Sequence, residues 1–209
     1  MVARLEIMLR QGLKDAEGEN IRRKAKDYLG IETQSIRVIR VLTLDSNLSP
    51  KHLDLIRAQI FTNPVTEQSS FSPMAADFDW VIWVGLRPGV RDTAGSTAVE
   101  AIEDFLKVKF ASGEAVYTSK VYALRGSLSR AQVESIAREI LANDIIQQWR
   151  VYSREGWDQR QGIGYILPKV ILNHEPRVGF IAIGSDEELK RLSIERNLAL
   201  QERDIPVIR

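Results

Sequence analysis

The residues of this chain best equipped for chemistry lie in two short loops of one pattern. "RQGLKDAEG", from Arg10, and "RPGVRDTAG", from Arg87, both read R-x-G-[LV]-x-D-x-x-G. An arginine at a strand end, a turn glycine and an aspartate ahead of a helix are the parts of an anion cradle. The guanidinium and the first helical amides could hold a phosphate or carboxylate. The same parts also build a strand-to-helix corner with no ligand, the glycine supplying positive φ and the aspartate capping the helix. Because the pattern occurs twice, a repeated corner is the first reading. Arg10, Asp15, Gly18, Arg87, Asp92 and Gly95 remain candidate interface or anion contacts.

The rest of the chemical inventory is thin. Cysteine is absent, and the two histidines, His52 and His174, have no H-x-x-x-H or H-E-x-x-H spacing. Disulfides, thiolate or histidine metal sites and a cysteine nucleophile are therefore excluded. The chain has no G-x-S-x-G, P-loop or G-x-G-x-x-G, so the usual equipment for serine or nucleotide chemistry is missing. Carboxylates gather at Glu17/Glu19, Glu100/Glu103/Asp104 and Asp186/Glu187/Glu188, at helix starts or on polar faces where the dipole favours acids. Arg22, Arg23, Lys24 and Lys26, with Arg37 and Arg40, read as a solvated basic face. With a net charge of +1 and no K/R-G-F/Y-G/A-F stretch, neither nucleic acid nor a membrane surface is an expected partner. No catalytic, cofactor-binding or metal residue is expected. The charged, alternating start "MVARLEIMLRQ" is neither a signal peptide nor an anchor, and no apolar run approaches the roughly 20 residues of a span. A soluble, cytoplasmic protein is expected.

The elements that must position the loops follow from the repeat. At an offset of 77, Leu9, Gly12, Asp15, Gly18 and Leu29 match Leu86, Gly89, Asp92, Gly95 and Leu106. At an offset of 80, Leu44, Leu48, Ser49, Ile56, Ile60 and Asn63 match Leu124, Leu128, Ser129, Ile136, Ile140 and Asn143, so about three residues enter the second copy near "KVKFASGEA". Each copy reads strand, helix, strand, helix, strand. The first helices place Ile21, Ala25, Tyr28 and Leu29, and Ala98, Ile102, Phe105 and Leu106, on the core face. Ser49-Pro50 and the Ser129/Gln132 capping box start the second helices. Whether the central strand bends or splits into a hairpin is left open by the pattern. The expected class is α+β: two ferredoxin-like βαβαβ repeats forming a pseudo-twofold domain, with 1–70 the first, 71–79 a connector and 80–152 the second. Residues 153–209 read as a separate linker unit. In it "YILPKVIL" and "VGFIAI" flank the turn "NHEPR", Pro168 allows the first run only an edge or strand start, and Ser185/Glu188 form a capping box.

The repeated unit, above all "VGLRPGVRDTAGSTAVEAIEDFL" and the ending L-A-N-x-x-I-x-x-[WY] at Leu141, Ala142, Asn143, Ile146 and Trp149, resembles the small subunit of multi-subunit phosphoribosylformylglycinamidine synthase. Two such units are joined at the start of the single-chain form, and "SDEELKRLSIERNLALQERDIPVIR" is similar to its linker. The resemblance implies a part in purine biosynthesis, within an ATP- and glutamine-dependent C–N ligase. It also implies a non-catalytic scaffold that docks the synthetase core and the glutaminase and helps enclose the ammonia route. ATP and magnesium are then expected only in the synthetase core, beyond Arg209 or in a separate subunit, and no catalytic residue carries over to this chain. A second reading, from another class, is a tandem ferredoxin-like regulatory module that binds an amino acid or nucleotide between its repeats.

Overall fold

The computed structural model describes residues 1–170, 178–180 and 182–208, in two compact units, Met1–Val170 and Ile171–Arg209. The first unit is α+β. Its strands are β1 (Val2–Leu9), β2 (Ser35–Asp45), β3 (Glu67–Ser70), β4 (Trp80–Leu86), β5 (Ala115–Arg125) and β6 (Gln147–Ser153). They form one antiparallel sheet in the order β3-β1-β2-β5-β4-β6. Its helices are α1 (Ala16–Leu29), α2 (Pro50–Ile56), α3 (Thr93–Leu106) and α4 (Arg130–Ile136). Both α2 and α4 end in a wide π turn, Arg57–Phe61 and Ala137–Leu141.

The central strands neither split nor form a hairpin. β2 and β5 each run unbroken for 11 residues and pair along their whole length, from Ser35↔Arg125 to Asp45↔Ala115. In that register Arg40 faces Lys120, its own counterpart at the offset of 80. The pseudo-twofold axis therefore passes between these two residues.

Alternation sends one set of side chains from each strand toward the helices. Two separate cores form there, and each mixes the repeats. One joins Ile21, Ala25, Ile36 and Val38 of the first repeat to Ile82, Tyr122, Val133 and Ile136 of the second. The other joins Leu5, Ile7, Leu42 and Ile56 to Ala98, Ile102 and Val116. Neither repeat encloses a core alone, so the duplication makes one domain.

Two residues expected in the core are outside it. Tyr28 is 77% exposed and Phe105 47% exposed. The buried face of α1 is set by Gly18, Ala25 and Leu29, and that of α3 by Gly95, Ile102 and Leu106. These lie at i, i+7 and i+11 on one side of the helix. Tyr28 and Phe105 sit beside that line in the last turn, turned to solvent.

The opposite sheet face is covered by the chain itself. Ile39, Val41, Val81, Trp83, Val121 and Ala123 lie beneath Phe78, Met74, Trp157, Ile163 and Ile166. Trp157 meets Phe78 and Tyr152 edge to face at 5.3 and 5.8 Å. On this face Arg4 and Glu6 are 4% and 2% exposed, and Arg4 Nε lies 3.1 Å from Glu6 Oε1. Arg4 Nη1 donates to the carbonyls of Gln161 and Gly164 at 2.7 and 2.8 Å. Glu6 Oε2 accepts the Met74 amide at 2.6 Å. The charged pair thus ties both covering segments to β1.

Residues 154–170 accordingly belong to the first unit, and its boundary falls after Val170. Tyr165 to Val170 form no strand; Ile166 packs on the far face, and Lys169 pairs with Asp45 and donates to the Gly113 carbonyl at 3.0 Å. The stretch "ILNHEPR", with His174, lies outside the described residues. In the second unit, α5 (Asp186–Glu195) is capped by Ser185, whose Oγ accepts the Glu188 amide at 3.2 Å. Glu188 reaches back to the Gly184 amide at 2.9 Å, one residue before the position a capping box would use. A short α6 (Ile205–Ile208) follows.

Candidate functional site

Each repeated corner is a closed structural device. Asp15 Oδ1 accepts the Gly18 amide at 2.8 Å, capping α1, and its Oδ2 accepts the Val38 amide at 2.7 Å. Val38 lies one residue beyond Met8↔Ile39, where the β1–β2 ladder ends. The carboxylate therefore replaces the missing strand partner while it caps the helix, two contributions of about 1 kcal/mol each. Asp92 does the same in the second repeat. Its carboxylate takes the Gly95 amide at 2.7 Å and the Thr118 amide at 2.6 Å, and the Thr118 hydroxyl at 2.9 Å. Thr118 follows Gly85↔Ser119, where the β4–β5 ladder ends.

Gly18 and Gly95 are demanded by contact. A Cβ on them would sit 2.0 Å from the Ile36 carbonyl oxygen and 2.1 Å from that of Val116. Gly12 and Gly89 have φ of +86° and +87°, which the turn needs. Arg10 Nη2 donates to the Pro64 carbonyl and Arg87 Nε to that of Asp144, both at 2.9 Å. The arginines thus hold the turn that leads from each π turn into the closing strand. Asn63 and Asn143 complete those turns, accepting the amides of Val65 and Ile145 at 2.9 and 3.0 Å.

Asp and Gly are brought together within each corner, while the arginine turns to the loop before the closing strand, and the two corners stand apart. Val38 and Thr118 fall on opposite sides of the Arg40↔Lys120 pair in the ladder. Between them, over the axis, opens a cleft of about 790 Å³. Its floor carries Arg40, Leu42, Lys120 and Tyr122; α1 lines it with Glu17, Asn20 and Lys24, and α3 with Ala94, Thr97 and Ala101. Arg40 pairs with Glu67 and Lys120 with Glu17, both at 2.6 Å. Burial, and secondly the charge of Glu17, push the Tyr122 hydroxyl well above the usual phenol range, so it is neutral at any physiological pH.

The sequence pattern puts Arg40 on a solvated basic face and gives Lys120 no distinction. The usable signal was the offset of 80, which makes them equivalents; their meeting on the axis needed the register. Among the described residues no group of three or more His, Asp or Glu is placed to hold a metal ion, and no helix is long and apolar enough to cross a membrane.

The family model of phosphoribosylformylglycinamidine (FGAM) synthase, PurS, matches the chain twice, over residues 2–74 and 79–155. No curated protein matches the chain. Each match spans one set of strands, helices and corner, and together they cover most of the sequence. The chain belongs to the PurS family of FGAM synthase, acting in purine biosynthesis, and carries that family's unit twice.

Proposed function

We propose that this chain is a non-catalytic scaffold of FGAM synthase. It docks the ATP-dependent synthetase core, helps seat the glutaminase and forms part of the wall of the ammonia route. The observation that supports this most is the internal use of the repeated polar groups. Asp15, Asp92, Arg10 and Arg87 bond to the chain's own backbone, which builds a shape and turns these repeated groups away from bond making.

That shape offers equivalent apolar tips. Val65 and Ile145 are 78% and 85% exposed, match at the offset of 80, and sit in the turns that Arg10 and Arg87 hold. Paired tips of this kind suit docking against a larger partner at two points.

Arg87→Ala frees the Asp144 carbonyl and loosens the Ile145 tip. It is expected to weaken assembly with the synthetase core and glutaminase about tenfold, while far-UV circular dichroism and Tm stay near those of the parent. Analytical ultracentrifugation of the mixed components reads the first effect. Calorimetry on the chain alone is expected to show no ATP or glutamine binding; micromolar binding of either would overturn the scaffold reading.

A further inference from the structure

We propose that the cleft on the pseudo-twofold axis binds a small phosphate monoester carrying an apolar or aromatic body, with its phosphate over Arg40 and Lys120. The inference does not rest on the docking role. Its volume of about 790 Å³ falls in the ordinary range for small-molecule sites, roughly 300–1,000 Å³.

Charge on the floor favours a dianion. Arg40 and Lys120 are directly opposite in the β2–β5 ladder, and like charges so placed repel. Each is offset by one carboxylate, Glu67 or Glu17. The Arg40 and Lys120 side chains are 52% and 42% exposed, and ion pairs this open contribute only about 0–1 kcal/mol. They yield readily to a ligand that meets both cations at once. A phosphate monoester does so with three oxygens, whereas a carboxylate has two. Lys24, at the rim, has no ionic partner among the described residues and adds a third positive charge.

The walls favour an asymmetric ligand. In a symmetric pair both walls would be alike, yet where α1 carries Glu17, Asn20 and Lys24, α3 carries Ala94, Thr97 and Ala101 at the offset of 77. The polar wall faces one of small side chains, and between them Leu42 and Tyr122, 9% and 5% exposed, form an apolar bed. A body resting on Leu42, which shares a core with Ala98 and Ile102 of α3, fits beneath the alanines, and the Tyr122 hydroxyl, on the α1 side, can donate to a phosphate oxygen.

The test titrates the full chain with phenyl phosphate at low ionic strength, by calorimetry and by amide chemical shifts. Saturable binding is expected, with shifts centred on Arg40, Lys120 and α3. Arg40→Gln and Lys120→Gln should each weaken it about tenfold. Ala101→Leu, which fills the small-residue wall, should block it without lowering Tm. Benzoate and inorganic phosphate should each bind at least about tenfold more weakly, the first lacking the dianion and the second the body. Absence of saturable binding, equal affinity in the Arg40→Gln/Lys120→Gln double variant, or inorganic phosphate binding as tightly as phenyl phosphate would overturn the proposal.

Discussion

Gly95→Ala is expected to lower the stability of the chain by about 3 kcal/mol, read as a fall in Tm of roughly 6–12 °C. In an exposed helix the same change would stabilise by about 1 kcal/mol, because alanine is the better helix former. Here the new methyl would lie 2.1 Å from the Val116 carbonyl oxygen and 2.9 Å from Asp92 Cγ. Val116 is held on its other side by Leu44 across the β2–β5 ladder, so the strand cannot retreat. The helix must lift instead, and lifting it stretches the bonds from Asp92 to Gly95 and Thr118. Gly18→Ala, 2.0 Å from the Ile36 carbonyl oxygen, should behave alike. Ser96→Ala, on the exposed side of the same turn, should stay within about 0.5 kcal/mol. Thermal unfolding of the three variants checks the series.

Arg4→Ala is expected to cost about 3–5 kcal/mol, because it leaves the Glu6 carboxylate buried without its cation and frees the Gln161 and Gly164 carbonyls. Its pH dependence is distinctive. Desolvation already raises Glu6 above the ordinary value of 4.5, against the lowering effects of the Met74 amide and Arg4. Without Arg4 it rises further. A carboxyl whose folded value is raised holds its proton in the folded state after the unfolded chain has lost it, so stability falls as pH climbs through that window. The variant should therefore lose more relative to the parent at pH 7 than at pH 4, and the slope should vanish in Arg4→Met/Glu6→Leu. Urea unfolding across that range gives the comparison.

Much of this architecture is legible in the residues. The two offsets mark the duplication, alternation marks β1, and Ser49, Asp92 and Ser129 mark helix starts as caps. Less legible is what depends on pairing between distant segments. The exchange of helices between half cores needs the β2–β5 register, since Ile21 and Ile102 carry the same pattern whichever repeat they pack against. Arg4 and Glu6 look like the polar face of an amphipathic strand, and only the segments around Met74 and Ile163 reveal them as a buried pair. Their counterparts at the offset of 77, Val81 and Trp83, were the hint that this face is covered. For the candidate site, the doubled motif marks the two corners, where Arg and Asp bond to the chain's own backbone with the same donors and acceptors that an anion would use. The cleft arises from small residues on α3 that leave space, and unfilled space has no signature of its own in a sequence.

The most direct test of the scaffold role compares two activities of the reconstituted synthase, with and without this chain. On the proposed scaffold role, glutamine-dependent FGAM formation requires ammonia to pass between partners held in register, whereas formation from free ammonium requires only the synthetase core. The account predicts that omitting the chain removes glutamine-dependent turnover and leaves ammonium-dependent turnover largely intact. Glutamine-dependent turnover that persists unchanged without the chain would contradict it.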